Sequence, residues 1–180
     1  MIKKNSVITL AGVKHCGKST LGRKLAAKCG FAFYDADDEL EKLHGRNTRE
    51  LFKAVGEEEF RRLEAEMLAI LSEKEESKVV SLGGGAVTNK FVTSDTWQKL
   101  FPVVMIDIDD ITAARRVFAR GVPAYLEKYS DPEQMLKEIN GERRKVMQKF
   151  SKAVYQADNR LSADEQAERF EQFLKDEGIL

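Results

Sequence analysis

A glycine-rich segment near the N-terminus constrains this chain more than any other feature. Residues 12–20 read GVKHCGKST, which matches the pattern of Gly, any four residues, Gly-Lys-Ser/Thr. An apolar run at 7–11 precedes this segment, and a run typical of a helix, LGRKLAAK at 21–28, follows it directly. A strand, a glycine loop and a helix in this order are typical of a phosphate-binding P-loop. The sequence therefore predicts a site for a nucleoside triphosphate.

The residue types in this loop suit a polyphosphate. Backbone N–H groups of the loop and of the first helical turn point at one place, where the helix dipole attracts an anion. Gly12 and Gly17 allow the backbone to turn where a Cβ atom would clash. We expect Lys18 to act on the β- and γ-phosphates, Ser19 to bind Mg²⁺, and Thr20 to belong to the nucleotide site. The alternative is a glycine-rich turn that binds nothing.

Composition limits the classes of partner. The chain of 180 residues has 30 Lys and Arg and 30 Asp and Glu, so no net positive charge favours nucleic acid. No apolar stretch approaches the length of a membrane span. Two cysteines, Cys16 and Cys29, fit a reducing compartment better than a disulfide framework. We expect one cytoplasmic domain, residues 1–180, that acts as a monomer on small molecules without nucleic-acid or membrane partners.

Segments typical of strands and of helices alternate along the chain. The predicted strands are 7–11, 31–35, 79–82, 102–108 and 153–158. This alternation predicts an α/β fold in three layers, a parallel five-stranded sheet with helices on both faces. Ligands of such folds bind beyond the C-terminal ends of the strands. We therefore expect 12–20, 35–37 and 83–85, which each follow a strand, to share one crevice.

Two acidic residues, Asp35 and Asp37, follow the second predicted strand. Phosphoryl transfer needs Mg²⁺ and a group that accepts the proton of the acceptor hydroxyl. One carboxylate near the metal and another two residues later could divide these tasks. The alternative is that both acids cap the next helix. Because a P-loop is expected in the same crevice, we favour the catalytic interpretation.

Two arginines are candidates for binding an anionic substrate. Arg61 lies four residues from Glu57 and three from Glu64, a spacing typical of ion pairs on a helix surface. The functional alternative is that Glu64 holds Arg61 in place to bind a substrate carboxylate with two hydrogen bonds. Arg143 and Arg144 lie on a long helical segment among other charged residues. From the residues alone, an ordinary surface role is favoured for these arginines.

Three successive glycines, Gly83, Gly84 and Gly85, follow the third predicted strand. Glycine loses much conformational entropy on folding, so this run predicts a place where another group approaches the backbone closely. A second segment, 121–131, shows no clear periodicity and is the best candidate for a mobile loop.

Taken together, these motifs resemble those of the shikimate kinase family over nearly the whole chain. The similar segments are the P-loop at 12–20, Asp-Ala-Asp at 35–37, the residues Gly56-Glu57, Phe60-Arg61 and Glu64, and SLGGGA at 81–86. The resemblance implies a fold like that of the nucleoside monophosphate kinases, with a mobile lid at about 119–132. It also implies phosphorylation of the shikimate 3-hydroxyl, with ATP as co-substrate and Mg²⁺ as cofactor.

The resemblance implies roles for individual residues. Asp35 and Ser19 would hold Mg²⁺, and Asp37 would bind the shikimate hydroxyls and act as the base. Arg61 and Arg143 would bind the shikimate carboxylate, and the glycines at 83–85 would offer backbone contacts.

The resemblance also implies an arginine on the adenine side of the nucleotide. Arg115 or Arg116 matches this position, and we assign the role to Arg116.

The chain departs from the family pattern in three places. The family lid carries Arg-Pro-Leu-Leu where this chain has VPAY at 122–125, so the arginine that stabilises the transferring phosphoryl group is missing from its place. Arg120, two residues earlier, is our candidate replacement. Met147 stands where the family has a tyrosine four residues after Arg143, and Lys-His-Cys at 14–16 makes the P-loop interior bulkier.

We therefore predict an ATP- and Mg²⁺-dependent kinase that makes shikimate 3-phosphate for aromatic amino acid biosynthesis. One alternative is a kinase of another small polyol acid such as gluconate. Another, favoured by the altered lid, is a catalytically weak nucleotide-binding regulator. A GTPase is not expected, because NKFV at 89–92 lacks the aspartate of a guanine-binding motif.

Overall fold

Five parallel strands form one sheet in the order β2-β3-β1-β4-β5, as seen in a computed structural model that describes residues 5–180. The strands are β1 (Val7–Ala11), β2 (Ala32–Asp35), β3 (Lys78–Ser81), β4 (Val103–Asp107) and β5 (Ala153–Gln156). Every residue of β3 and β4 is buried, because helices cover both faces of the sheet. The predicted parallel sheet is confirmed.

The structure describes α-helices between and after these strands. Their bounds are α1 Lys18–Cys29, α2 Ala36–His44, α3 Thr48–Val55, α4 Glu57–Ser72, α5 Ser94–Lys99, α6 Asp110–Phe118, α7 Pro132–Phe150 and α8 Ala163–Asp176. Several begin after a residue whose side chain accepts a hydrogen bond from the first turn, as Asp109 does for α6 and Ser162 for α8. None of the helices within residues 5–180 is both long and apolar enough to cross a membrane.

A buried lysine explains one difference from the predicted boundaries and the end of the preceding helix. The strand predicted at 79–82 begins one residue earlier, at Lys78, and the helix that begins at Glu57 ends at Ser72. The Lys78 ammonium donates hydrogen bonds to the carbonyls of Ser72 and Lys74 and so closes the end of α4. Burial lowers the pKa of Lys78. Since lysine is rarely buried, the apolar pattern could not assign this residue to the sheet.

Residues 119–131 connect α6 to α7, and we call this segment the lid. Helix α6 ends at Phe118, where the N–H groups of Arg120 and Gly121 donate hydrogen bonds to carbonyls three residues back. A 3₁₀ turn, Ala124–Leu126, interrupts the loop. Its side chains pack with those of α6 and α7 in a small apolar cluster around Val117, Leu126 and Leu136. That the lid moves stays a prediction.

Candidate functional site

A cavity of about 1200 Å³ lies at the C-terminal ends of β1, β2 and β3. The three segments that the sequence places after these strands all reach it, so the predicted common crevice is confirmed. Of the predicted site residues, those that line it are Gly17, Lys18, Ser19, Thr20, Asp35, Asp37, Arg61, Gly84, Gly85, Arg116, Arg120 and Arg143. Gly12 and Gly83 do not line the cavity. Because they have no Cβ atom, Gly12 leaves room for the Ile106 carbonyl and Gly83 for the carboxylates of Asp37 and Glu64.

The side chain of Lys18 bonds to the backbone of its own P-loop. The Lys18 ammonium is buried and donates to the carbonyls of Gly12 and Val13, each at 3.0 Å. Gly12 has a φ of 151°, and a Cβ atom there would lie 2.4 Å from the carbonyl oxygen of Ile106. The loop can therefore follow its path beside β4 only with glycine at this position. His15, with a φ of 61°, is in the left-handed region that glycine normally occupies.

Ser19 and Asp35 lie side by side at the start of α1 and the end of β2. The Ser19 hydroxyl donates to one oxygen of the Asp35 carboxylate, and the other oxygen accepts from the N–H group of Asp37 at 3.1 Å. Asp35 thus caps α2 and also faces the P-loop, so the two interpretations of this residue are compatible. A hydroxyl and a carboxylate together are a donor set that suits Mg²⁺, which keeps several waters and uses phosphate oxygens as further ligands.

A larger protein cage for a metal is not present in the described part of the chain. No group of three or more His, Cys, Asp or Glu side chains is placed to hold a metal ion there.

Asp37 lies in the first turn of α2 beside the glycine run. A Cβ atom on Gly83 would be 2.7 Å from Oδ1 of Asp37 and 3.0 Å from Oε1 of Glu64, so the glycine leaves room for both carboxylates. Burial, followed by the negative charges of Glu64 and Asp35, raises the pKa of Asp37 to about 6. A carboxylate of this basicity is suited to accept a proton near neutral pH.

Arg61 is fixed by a buried acid and by close packing. Its Nη1 atom donates to Oε2 of Glu64 at 2.7 Å. A Cβ atom on Gly85 would lie 2.3 Å from the same nitrogen, so a side chain there would displace the guanidinium from this position. Because the partner is the buried Glu64, the pair is not the exposed ion-pair pattern that the spacing alone favoured.

Asn89 is a site residue that the sequence reasoning missed. Its amide donates to the carbonyl oxygen of Arg61 at 2.7 Å and to Oε2 of Glu64 at 3.2 Å. The amide therefore helps to hold the ion pair of α4 in position. No local pattern marks this residue, since its role depends on the packing of 86–92 against α4.

The adjacent arginines of α7 point in different directions. Arg143 lines the cavity with its guanidinium 5.6 Å from the ring centre of Tyr125, and burial lowers its pKa. Arg144 donates to Asp107 at 2.8 Å and to Asp110 at 2.9 Å, which fastens α7 to the end of β4. Neither arginine has the solvated surface position that the residues alone favoured.

Arg116 connects the P-loop to the loop after β5. Its guanidinium donates to the His15 carbonyl at 3.2 Å and to Oδ1 of Asn159 at 3.1 Å. Arg115 is exposed and does not line the cavity. Of the two arginines that the sequence offered for the adenine side, Arg116 is the one that faces this site.

Arg120 lies at the mouth of the same cavity, just beyond the end of α6. Burial, followed by the positive charges of Lys14 and Arg120, lowers the pKa of His15 to about 4. The guanidinium of Arg120 is therefore near enough to the P-loop for its charge to act there. Val122, which stands in the place of the family's lid arginine, lines the cavity with an apolar side chain.

Comparison with known proteins identifies the family. The family model of shikimate kinase matches residues 14–175. The chain belongs to the shikimate kinase family. The shikimate kinase of Shewanella oneidensis is 32% identical over 152 residues, which cover 84% of this chain and 87% of that protein.

Solved structures agree with this assignment. A shikimate kinase from Acinetobacter baumannii in complex with shikimate has a TM-score of 0.82 and 25% identity, over 95% of this chain and 93% of that one. The enzyme from Aquifex aeolicus has a TM-score of 0.75 and 30% identity, over 93% and 95% of the two chains. The predicted shikimate kinase fold is confirmed, and the chain is a kinase.

Proposed function

We propose that this kinase transfers the γ-phosphoryl group of ATP to the 3-hydroxyl of shikimate, giving shikimate 3-phosphate and ADP for aromatic amino acid biosynthesis. The observation that carries the proposal is the convergence of Asp37, Arg61 and Arg143 on the cavity that the P-loop opens into. This set combines a base with two groups that recognise a carboxylate, as a hydroxy acid acceptor requires.

The nucleotide half of the site is assigned to the P-loop side of the cavity. The loop backbone with Lys18 and Thr20 binds the phosphates, and Arg116 lies against the adenine. Asp35 and Ser19 are the residues that would hold Mg²⁺. Bound there, the cation would neutralise phosphate charge and orient the β- and γ-phosphates.

The acceptor half is assigned to the opposite side. The charge of Arg61 is largely balanced by Glu64, whereas among residues 5–180 no carboxylate forms an ion pair with Arg143. The two guanidinium groups together therefore carry a net positive charge for the shikimate carboxylate. The backbone of Gly84 and Gly85 would contact the ring, while Gly83 leaves room for the Asp37 carboxylate. Asp37 accepts the proton of the attacking hydroxyl.

Arg120 is assigned to the transferring phosphoryl group in place of the missing lid arginine. Its exposed side chain at the cavity mouth is free to approach the nucleotide from the lid side. An arginine that stabilises this transition state contributes about 10³–10⁵ in rate.

The chain would form one domain, residues 1–180, with a lid at about 119–132. A monomer suffices, because residues of this one chain account for both substrates. The free cysteines Cys16 and Cys29 and the use of ATP favour the cytoplasm.

An acceptor screen tests the proposal. ADP release is measured with ATP and Mg²⁺ against shikimate, gluconate and nucleoside monophosphates. Turnover that depends on shikimate supports the proposal. Turnover with gluconate alone would contradict it and identify gluconate as the acceptor. ATP binding without turnover on any acceptor would identify a regulator instead.

The role of Arg120 has its own test. We expect Arg120→Ala to lower kcat by about 10³-fold, the low end of the range for such arginines, with a smaller change in the KM of shikimate. Arg115→Ala is the matched control, since Arg115 lies outside the cavity. An unchanged kcat in Arg120→Ala would show that another group stabilises the phosphoryl.

A further inference from the structure

The lid places an aromatic side chain in the acceptor half of the cavity. Tyr125 is the central residue of the 3₁₀ turn Ala124–Leu126 and lines the cavity together with Arg143. The turn is fastened by Leu126, which is fully buried in the apolar cluster of the lid. The ring of Tyr125 therefore has a defined position, with the Arg143 guanidinium 5.6 Å from its centre.

The Tyr125 hydroxyl is buried. The neighbouring Arg143 guanidinium can only donate to its oxygen, and no acceptor for its O–H group lies among residues 5–180. Buried hydroxyl groups in proteins nearly always have a partner, so this one calls for an explanation. Its ring lines the cavity, which suggests that a bound molecule supplies the partner.

The charges around this hydroxyl indicate the chemistry of that molecule. Arg61 forms an ion pair with Glu64, but no described carboxylate does so with Arg143. A carboxylate that binds to Arg143 would therefore satisfy both an unpaired cation and an unpaired hydroxyl. A phenol O–H group and a guanidinium can donate to the same carboxylate, which has about four acceptor sites.

We propose that Tyr125 is a further substrate-positioning residue, whose hydroxyl donates a hydrogen bond to the acceptor carboxylate held by Arg61 and Arg143. This inference rests on the proposed function, in which the acceptor is a hydroxy acid. The face of the same ring supports the Arg143 guanidinium.

The hydroxyl acts on the carboxylate and not on the reacting oxygen. The hydrogen bond is therefore equally strong in the ground state and in the transition state, and its loss raises KM while kcat is kept. We expect Tyr125→Phe to raise the KM of shikimate about tenfold, which corresponds to about 1.4 kcal/mol. The kcat and the KM of ATP should stay within about twofold of the wild type.

Tyr129→Phe is the matched control. Tyr129 lies in the same lid and packs against the same apolar cluster, but it does not line the cavity. Removal of its hydroxyl should leave both KM values and kcat unchanged.

An acceptor without a carboxylate tests whether the Tyr125 hydroxyl recognises the carboxylate or has only a structural role. In this analogue the shikimate carboxylate is reduced to a primary alcohol. The wild type and Tyr125→Phe should use it with KM values within about twofold of each other. A tenfold loss with both acceptors would overturn the proposal, since the hydroxyl would then act on the lid itself, and so would an unchanged KM for shikimate.

Calorimetric titration with shikimate keeps the two proposals apart. If the wild type failed to phosphorylate shikimate, the proposed function would fail. The ratio of the shikimate Kd values of Tyr125→Phe and wild type would still test Tyr125, with about tenfold expected and a ratio near one contradicting the inference.

Discussion

Asp37→Asn is expected to abolish phosphoryl transfer and yet to stabilise the fold at neutral pH. The pKa of Asp37 in the folded chain is raised from 3.8 to about 6 by burial and by the charges of Glu64 and Asp35. The folded state therefore binds the proton more tightly than the unfolded state does. A difference of about two pKa units corresponds to about 3 kcal/mol.

The sign of the effect follows from this linkage. The stabilisation from the protonated carboxyl is fully present below pH 3.8, is lost as the pH rises to about 6, and is absent above that value. At pH 7 to 8 the wild type therefore keeps an ionised carboxylate in a place that disfavours it. Asparagine has a similar shape and no charge, so it avoids this penalty.

Urea unfolding of the two proteins across this range measures the effect. Relative to the wild type, Asp37→Asn should gain little near pH 4, progressively more between pH 4 and 6, and up to about 3 kcal/mol at pH 8. Asp95→Asn, at an exposed carboxylate of α5 that pairs with Lys99, is the control for the loss of a negative charge outside the cavity. In activity assays, kcat/KM of the wild type should fall below about pH 6, and Asp37→Asn should bind ATP without phosphorylating shikimate.

Two results would refute this reasoning. A stability difference that does not change with pH would mean that folding does not perturb the Asp37 carboxyl. Near-normal turnover by Asp37→Asn would mean that another group accepts the proton.

Two further predictions concern stability alone. Lys78→Met should keep the volume of the buried side chain but leave the carbonyls of Ser72 and Lys74 without their donor, lowering the free energy of unfolding by about 1–3 kcal/mol. Urea unfolding checks this against Lys152→Met at an exposed position, and an equal loss in both would contradict it. His15→Gly should be more stable than His15→Ala by about 1 kcal/mol, because alanine keeps a Cβ atom at a φ of 61°. Equal unfolding midpoints for these two variants would show that the loop relaxes away from the left-handed region.

Much of the fold follows from local pattern. The alternation of apolar strands with helical segments predicts the sheet, and the P-loop fixes where its crevice opens. The boundaries that the pattern misplaced depend on tertiary contacts. Lys78 belongs to β3 because the carbonyls at the end of α4 receive its ammonium, and this partner is not visible in the sequence around it.

Some residues of the candidate site can likewise be found from the local sequence, and others cannot. Asp35 and Asp37 could be found from the sequence because each follows a strand close to a P-loop. Asn89, Tyr125 and Arg144 could not, since each acquires its role from an element far away in the sequence. A buried amide, a lid tyrosine and a second arginine on a charged helix have no distinctive spacing.

Glu64 connects the positions and charges of Arg61 and Asp37. Its carboxylate holds the Arg61 guanidinium in the cavity and, after burial, is the main charge that raises the pKa of Asp37. The same side chain therefore orients the group proposed for carboxylate recognition and strengthens the proposed base. Asn89 fixes one Glu64 oxygen, so a shift of this amide would disturb both effects together. The net positive charge that remains for an acceptor lies mainly on Arg143, which is why the lid residue that contacts Arg143 bears on substrate recognition.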